Sequence, residues 1–324
     1  MSIIEAARGR WHEILPTFGI DRKFLQKKHG PCPCCGGKDR FTYDNKENRG
    51  TYHCNQCGAG SGFQLLMMFK GWNMNEAIKE VSKIVETVEK KLDNKPEQSD
   101  EAKKKAMNDT WTGAQAVQDG DPVHTYLKKR LGAVEPSNAL RTHPQLWHFE
   151  TKKSYPAMLA KISDPNNKPV SIHRTYLTEQ GEKAEFKPNK MLMAGHIPDG
   201  SAIRLMPYDD VLGITEGIET ALSCYNLFGI PCWAAVSAPM LVKWKPPENL
   251  RNVVIFGDND HNFVGQLASY RLAWQLKRDN ADIKIIVAFP YINGADWNDV
   301  MLLEPYAVTR ALVKEIYPAL PIRK

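Results

Sequence analysis

The chain has 324 residues, 42% of them hydrophobic and 25% charged, a balance that suits two or three folded domains and excludes wholesale disorder, collagen-like repeats and a coiled-coil rod. Its formal charge is +6 (43 basic minus 37 acidic side chains), and the excess lies at the front: residues 1–60 hold 10 Lys/Arg and 6 Asp/Glu, whereas the remainder holds 33 and 31. A basic front module is the footprint of a partner rich in phosphate. No apolar run approaches the ~20 residues that span a bilayer. Residues 1–7 include Glu5 and lack the apolar stretch of a secretion signal, so the expected setting is the cytoplasm, with no membrane partner.

Five of the seven cysteines, Cys32, Cys34, Cys35, Cys54 and Cys57, are packed close together near the N-terminus. The spacing Cys32-x2-Cys35, eighteen residues, Cys54-x2-Cys57 is that of two zinc knuckles. Four thiolates fill all tetrahedral positions, which marks a structural zinc site. Cys34 permits another pair in principle, but Cys32 with Cys35 repeats the gap of Cys54 and Cys57, and Gly36, Gly37 and Gly58 allow the tight turns. Cys34 is then a bystander, His29 and His53 are loop or strand residues, and Cys224 and Cys232 are small core residues.

Between the knuckles, residues 40–43 and 51–53 alternate around a polar turn at 48–50, as in a zinc ribbon's hairpin. Arg40, Lys46 and Arg49 with Tyr43 and Tyr52 combine cations and rings. Two readings stand: a surface for single-stranded nucleic acid, or rings that fill the core of a small module. Helical periodicity follows over 63–69 and again over 75–88, where Ala77, Ile78, Val81, Ile84, Val85 and Val88 share a face, so the zinc domain is expected to span 1–92. Residues 93–109, with Pro96 and Lys103 to Lys105, read as a flexible charged linker.

Residues 110–207 mix signals, with strands expected at 157–162 and 170–177. Lys183, Lys187 and Lys190 gather around Phe186, and Arg204 follows, so this subdomain is expected to present a basic surface. Residues 208–305 then alternate apolar strands (211–214, 231–236, 253–256, 283–289) with helices (218–228, 266–277), the pattern of a parallel sheet covered by helices. A helical tail is expected at 306–324.

In open parallel sheets the reactive groups lie past the carboxyl ends of the strands, and the acids occur there. Glu216 follows the first strand, Asp258 and Asp260 the third, and Asp296 and Asp299 the last. In extended chain, residues i and i+2 point to one side, so Asp258 and Asp260 converge, and hard oxygen ligands favour magnesium or manganese as the occupant. Asp260 and Asp299 are equally readable as helix-start residues, and Glu219 is expected to face solvent.

Glu216-Gly-Ile-Glu-Thr-Ala followed by Gly257-Asp-Asn-Asp resembles the Toprim domain shared by DnaG-type primases, topoisomerases, some nucleases and recombination mediators. Gly30-Pro-Cys-Pro-Cys-Cys-Gly-Gly-Lys-Asp-Arg-Phe with Cys54-Asn-Gln-Cys-Gly-Ala-Gly resembles the zinc ribbon of primases carried by satellite phages, prophages and plasmids. That family's signature Glu-Gly-Tyr-Ala-Thr-Ala matches residues 216–221, with Ile218 and Glu219 in place of Tyr and Ala.

The resemblance implies an α/β multidomain protein: a zinc ribbon, a mixed α+β basic subdomain and a Toprim α/β sheet. It implies Glu216 as the Toprim glutamate, Asp258 and Asp260 as the acidic pair, and Asp296 with Asp299 as a further acidic motif. Arg174, Lys187 and Lys190 would lie in the subdomain that handles the template. The implied activity is a DNA primase that makes short oligonucleotides, expected to be RNA, on single-stranded DNA from nucleoside triphosphates with magnesium or manganese. No Gly-x-x-x-x-Gly-Lys-[Ser/Thr] occurs, so a separate replicative helicase is expected as a partner. A noncatalytic mediator and a Toprim nuclease are the rivals, and the long basic region 110–207 argues against the mediator.

Overall fold

The computed structural model describes residues 2–88, 99–132 and 137–303. The expected tail at 306–324 lies outside them, as does part of the expected linker. The chain divides into two compact units, Met1–Glu97 and Gln98–Lys324.

In the first unit, helices α1 (Ile3–Ala7) and α2 (Trp11–Thr17) precede four strands, β1 (Gly30–Cys32), β2 (Gly36–Tyr43), β3 (Tyr52–Cys54) and β4 (Gly58–Gly60). These pair antiparallel in the order β1-β2-β3-β4, with Phe41 opposite Cys54 and Tyr43 opposite Tyr52. Helices α3 (Gly62–Lys70) and α4 (Met74–Ser82) close the unit, each started by a capping box, Ser61 with Gln64 and Asn73 with Glu76. The second of these ends earlier than its periodicity predicts. Beyond Ser82 the chain tightens to i to i+3 bonds, Ile84 N to Val81 O and Thr87 N to Ile84 O, over a β-branched stretch. Trp11, Phe41, Tyr43, Tyr52, Phe63 and Leu66 form the core.

The second unit opens with α5 (Asp100–Thr112), where the sequence predicts the end of a flexible linker. Ser99 Oγ accepts the Ala102 N–H, and Met107 and Trp111 pack against the apolar cluster beyond, with the Arg141 guanidinium 4.5 Å over the Trp111 ring. Charge alone therefore misjudges this segment, which is a surface helix with two anchors. There follow β5 (Gln115–Ala116), α6 (Pro122–Leu131), β6 (Leu140–His148), β7 (Lys153–Ser163), β8 (Pro169–Tyr176), β9 (Lys190–Leu192) and β10 (Ala202–Ile203). The last third is β11 (Val211–Thr215), α7 (Ile218–Phe228), β12 (Cys232–Ala234), α8 (Ala238–Val242), β13 (Asn252–Phe256), α9 (Val264–Asp279), β14 (Lys284–Ala288) and α10 (Trp297–Leu302).

One 10-stranded sheet runs β14-β13-β11-β12-β10-β7-β6-β5, with β8 and β9 attached to β7. Strands β14, β13, β11 and β12 are mutually parallel, while β10 pairs antiparallel with both β12 and β7 and so fuses the two halves of the unit. Period-two alternation sorts the side chains: Val254 and Phe256 join Ile218, Ala221 and Leu227 of α7 on one face. Leu212, Ile214, Val253 and Ile255 join Ala268, Leu272 and Leu276 of α9 on the other. The chain leaves β11 toward β12 on one side and leaves β13 toward β14 on the other, so a crevice opens between the carboxyl ends of β11 and β13.

Candidate functional site

In the first unit, the sulfur atoms of Cys32, Cys35, Cys54 and Cys57 lie within 4.8 Å of one another. Cys32 Sγ is 3.9 Å from Cys57 Sγ, and Cys35 Sγ is 3.7 Å from Cys54 Sγ. A tetrahedron with Zn–S bonds of about 2.3 Å has edges of about 3.8 Å, so the four sulfurs fit zinc. Gly36 and Gly58 take φ of 68° and 87°, the turn geometry expected after each knuckle. The Cys34 and Cys57 N–H groups donate to Cys32 Sγ and Cys54 Sγ at 3.4 Å. Burial, with the charge of Cys54, pushes the Cys35 thiol up to about 12, so the cluster calls for a cation before it can hold four thiolates. Cys34 stays outside the group, and Cys224 and Cys232 are buried in the core of the second unit.

The rings of the ribbon are not a stacking surface. Tyr43 and Tyr52 are 0% and 4% exposed and belong to the core, as required of a module too small to have another. The cations remain outside: Arg49 is exposed beside Glu47 at 3.6 Å, Lys46 pairs with Asp44 at 3.3 Å, and Arg40 lies along Gly37.

In the second unit, the crevice collects the predicted acids. Glu216 follows β11 and leads through Gly217 into α7, while Asp258, Asn259 and Asp260 follow β13. The Asp258–Asp260 loop is fastened on two sides. Asn259 N donates to Ala295 O at 3.1 Å, and its Nδ2 donates to Pro290 O at 2.9 Å. Asp260 Oδ2 accepts the Gly265 N–H at 2.9 Å at the start of α9, and Gln266 Nε2 reaches Asn259 Oδ1 at 2.8 Å. Position 265 must be glycine, because a Cβ would lie 2.5 Å from the Asp258 carbonyl oxygen. Asp296 and Asp299 form a reciprocal capping box on α10, at 2.9 and 3.0 Å. Asp260 and Asp299 thus have the helix-start role that the sequence leaves open for each.

Asp258 is the centre of this arrangement. Its Oδ1 is buried without a hydrogen-bond partner. Burial first, then the charges of Glu216, Asp296, Asp260 and Asp299, push its carboxyl well above the ordinary range. Burial also raises Asp296, with Asp299 and Glu219 adding to the effect. An orphaned carboxylate oxygen amid four acids fits a hard divalent cation. The carboxylates nevertheless stand farther apart than the thiols, which are the only group of three or more ligand residues within mutual reach among the described residues.

Residues 27–63 match the zinc-binding domain of primase-helicase, residues 101–205 a domain of unknown function (DUF7146), and residues 211–305 the Toprim domain. The chain joins a primase-type zinc ribbon to a Toprim domain. That order is the architecture of the DnaG-like primases. Among solved structures, the chain is similar to the Aquifex aeolicus primase (zinc binding and RNA polymerase domains), at 16% identity over 97% of this chain and 85% of that one, with a TM-score of 0.42. It is similar to the primase fragment of the bacteriophage T7 primase-helicase protein at 16% identity over 85% and 94%, TM-score 0.40. It also resembles a DNA primase domain from Pseudomonas aeruginosa at 16% identity, over 58% of this chain and 62% of that one, TM-score 0.37. Likeness this distant leaves the function to be argued from the chain's own residues.

Beside the acids of the Toprim domain lies a cationic cluster that the sequence only half discloses. Glu219, expected at the surface, is 6% exposed, because α7 is buried on every side over residues 218–224. Against the burial that opposes its charge, Lys190, Lys183 and Tyr126 hold the Glu219 carboxyl well below the ordinary range. Lys190 Nζ stands 3.0 Å and Lys183 Nζ 3.6 Å from Oε1, to which Tyr126 Oη also donates. Tyr126, Lys129, Arg130, Gly181, Glu182 and Lys183 line a cleft of about 200 Å³. Arg130 is fixed by Asn298, which accepts from its guanidinium at 2.9 Å and donates to its carbonyl at 2.8 Å. Nearby His173 is pushed down to about 3 by burial and by the charge of Lys190, and stays neutral.

Three other predicted cations divide differently. Lys187 is exposed. Arg174 donates to Leu192 O at 2.9 Å and Arg204 to Asp164 O and Pro165 O at 2.8 and 2.7 Å, the latter over the Trp233 ring, so both serve the fold. The signal for Glu219 is in the sequence: an acid in the first turn of a largely apolar helix, where the family signature has Ala.

Proposed function

We propose that the protein is a DNA primase, joining nucleotides on a single-stranded template. The observation that carries this reading is the buried, unpartnered Asp258 oxygen within the ring of acids, adjacent to the lysines on Glu219. In the reaction the 3′-oxygen of one nucleotide attacks the α-phosphorus of the next; a new P–O bond forms, the bond to the bridging oxygen of the β-phosphate breaks, pyrophosphate leaves and the hydroxyl proton passes to solvent. Magnesium or manganese held by Glu216, Asp258 and Asp260 would make the attacking oxygen more acidic and neutralise the leaving group.

The chain's own residues do the rest. Lys183, Lys190 and Arg130 meet the triphosphate, and exposed Lys187 with Arg40 and Arg49 of the ribbon meets template phosphates. The resemblance of residues 30–41 and 54–60 to ribbons of satellite-phage, prophage and plasmid primases supports a role in replicating a mobile element.

The test is incubation of the full chain with single-stranded DNA, labelled ribonucleotides and magnesium or manganese. Labelled oligomers that vanish with Asp258→Asn and Glu216→Gln are expected. Fragments of the DNA identify a nuclease instead, and bare retention of the DNA a mediator.

A further inference from the structure

Helix α9 of the second unit is apolar on two faces. Ala268, Leu272 and Leu276 are buried against the sheet, but Phe263 at the cap and Leu267, Tyr270 and Trp274 beyond it are 70%, 68%, 59% and 60% exposed. Leu267, Tyr270 and Trp274 are three and four residues apart, the spacing of a coiled-coil seam, and span roughly 10 Å at 1.5 Å per residue, while Phe263 adds a further exposed ring at the cap. Four large apolar side chains exposed along one helix and its cap are not the scattered exposure of ordinary surface. Phe263 also holds a φ of 61°, a costly conformation for a bulky residue, and gains no burial from it. Exposed Arg271, Lys277 and Arg278 flank the stripe, with the Arg278 guanidinium 5.0 Å over the Trp274 ring. Asp279, the one acid of the helix, is already paired with Arg278 at 2.7 Å. Trp, Tyr and Arg are the side chains in which binding energy concentrates.

We propose that this stripe docks an amphipathic helix of a partner protein, one whose heptad-spaced apolar residues are flanked by Asp and Glu. Charge selects this occupant. A second copy of the chain would set Arg271, Lys277 and Arg278 against themselves. The chain's own residues 304–324 hold four Lys/Arg and two Asp/Glu and bring the same sign. A nucleic acid strand has the right sign, but Leu267 in the middle of the seam offers bases nothing to stack on, and the seam spacing matches side-chain knobs.

The test titrates the full chain with a labelled 21-residue synthetic peptide carrying Leu at its seam positions and Glu beside them, with its Lys counterpart, and with a scrambled acidic peptide. The acidic peptide is expected to bind at least tenfold more tightly than either control. Leu267→Asp and Trp274→Ala should each weaken it at least tenfold, and Arg271→Glu with Arg278→Glu should turn the preference toward the Lys peptide. These positions are solvent-facing, so circular dichroism and primer synthesis should match the parent chain. Acidic-peptide binding that ignores all these substitutions overturns the proposal. So does self-association abolished by Leu267→Asp, peptide binding that appears only when residues 304–324 are removed, or oligonucleotide binding lost in Trp274→Ala without peptide binding in the parent.

Discussion

Replacing Glu219 by Gln keeps the shape of the side chain and removes its charge. The carboxylate faces two ammonium groups, at 3.0 and 3.6 Å. At an effective dielectric constant near 20, each pair is worth about 5 kcal/mol of Coulomb attraction before desolvation. Desolvating the ions offsets much of that, and removing one partner of a buried pair typically costs about 3–5 kcal/mol. The Lys190 and Lys183 side chains are 39% and 30% exposed, so water recovers part of the loss. We therefore expect Glu219→Gln to destabilise the second unit by about 2–3 kcal/mol at pH 7. The pH dependence supplies an independent check. A carboxyl held below its unfolded value stabilises the fold above the ordinary carboxylate range, and that contribution disappears as pH falls through the folded value. The gap between parent and variant, measured by urea unfolding, should accordingly be full at pH 7 and shrink on acidification. A gap below about 0.5 kcal/mol at pH 7, the scale of an ordinary surface change, or one that grows toward acid, would refute the buried ion-pair account. In primer synthesis the freed lysines should raise KM for nucleoside triphosphate more than they lower kcat.

Other substitutions probe the cysteine cluster and the ring of acids. Asp258→Asn should stabilise the metal-free chain at neutral pH and flatten its stability profile. The raised carboxyl of the parent loses stability as pH climbs from the ordinary range toward its folded value, which urea unfolding at several pH values will show. Magnesium at ten times its dissociation constant should add about 1.4 kcal/mol to the parent and nothing to this variant. Cys54→Ser should lose bound zinc and expose residues 1–88 to protease while the second unit keeps its thermal transition, since zinc binding to such ribbons supplies about 10–16 kcal/mol of folding free energy. Gly265→Ala should cost about 1–3 kcal/mol by overpacking and abolish synthesis, because the added methyl meets the Asp258 carbonyl. Retained synthesis with unchanged stability would show that the loop tolerates being moved.

Local signals in the sequence carry far where chemistry and spacing coincide. Both zinc knuckles, the hairpin between them, the four parallel strands and the helix Ile218–Phe228 are legible from cysteine spacing, period-two alternation and the length of apolar runs. The acids past strand ends are legible for the same reason. What composition misjudges is burial. Tyr43 and Tyr52 lie beside cations in sequence but inward in the hairpin, where they join Trp11, Phe41 and Phe63 in the core. Helix α5 reads as a charged linker because its two anchors, Met107 and Trp111, are too few to set a periodicity. Helices α1 and α2 carry their apolar residues in runs too short for the same test, and the weight of Trp11 in the core emerges only from packing.

Glu219 reads as a surface residue when taken alone, yet its position explains how opposite charges coexist in the Toprim crevice. The buried carboxylate engages both ammonium groups, Lys183 at Oε1 and Lys190 at both oxygens, and Tyr126 donates to Oε1. One negative charge against two positive ones leaves the cluster cationic, so it still attracts phosphate, while its geometry is fixed by α7, the helix that starts immediately after Glu216. The acid ring then keeps its own repulsion, which only a proton or a cation relieves.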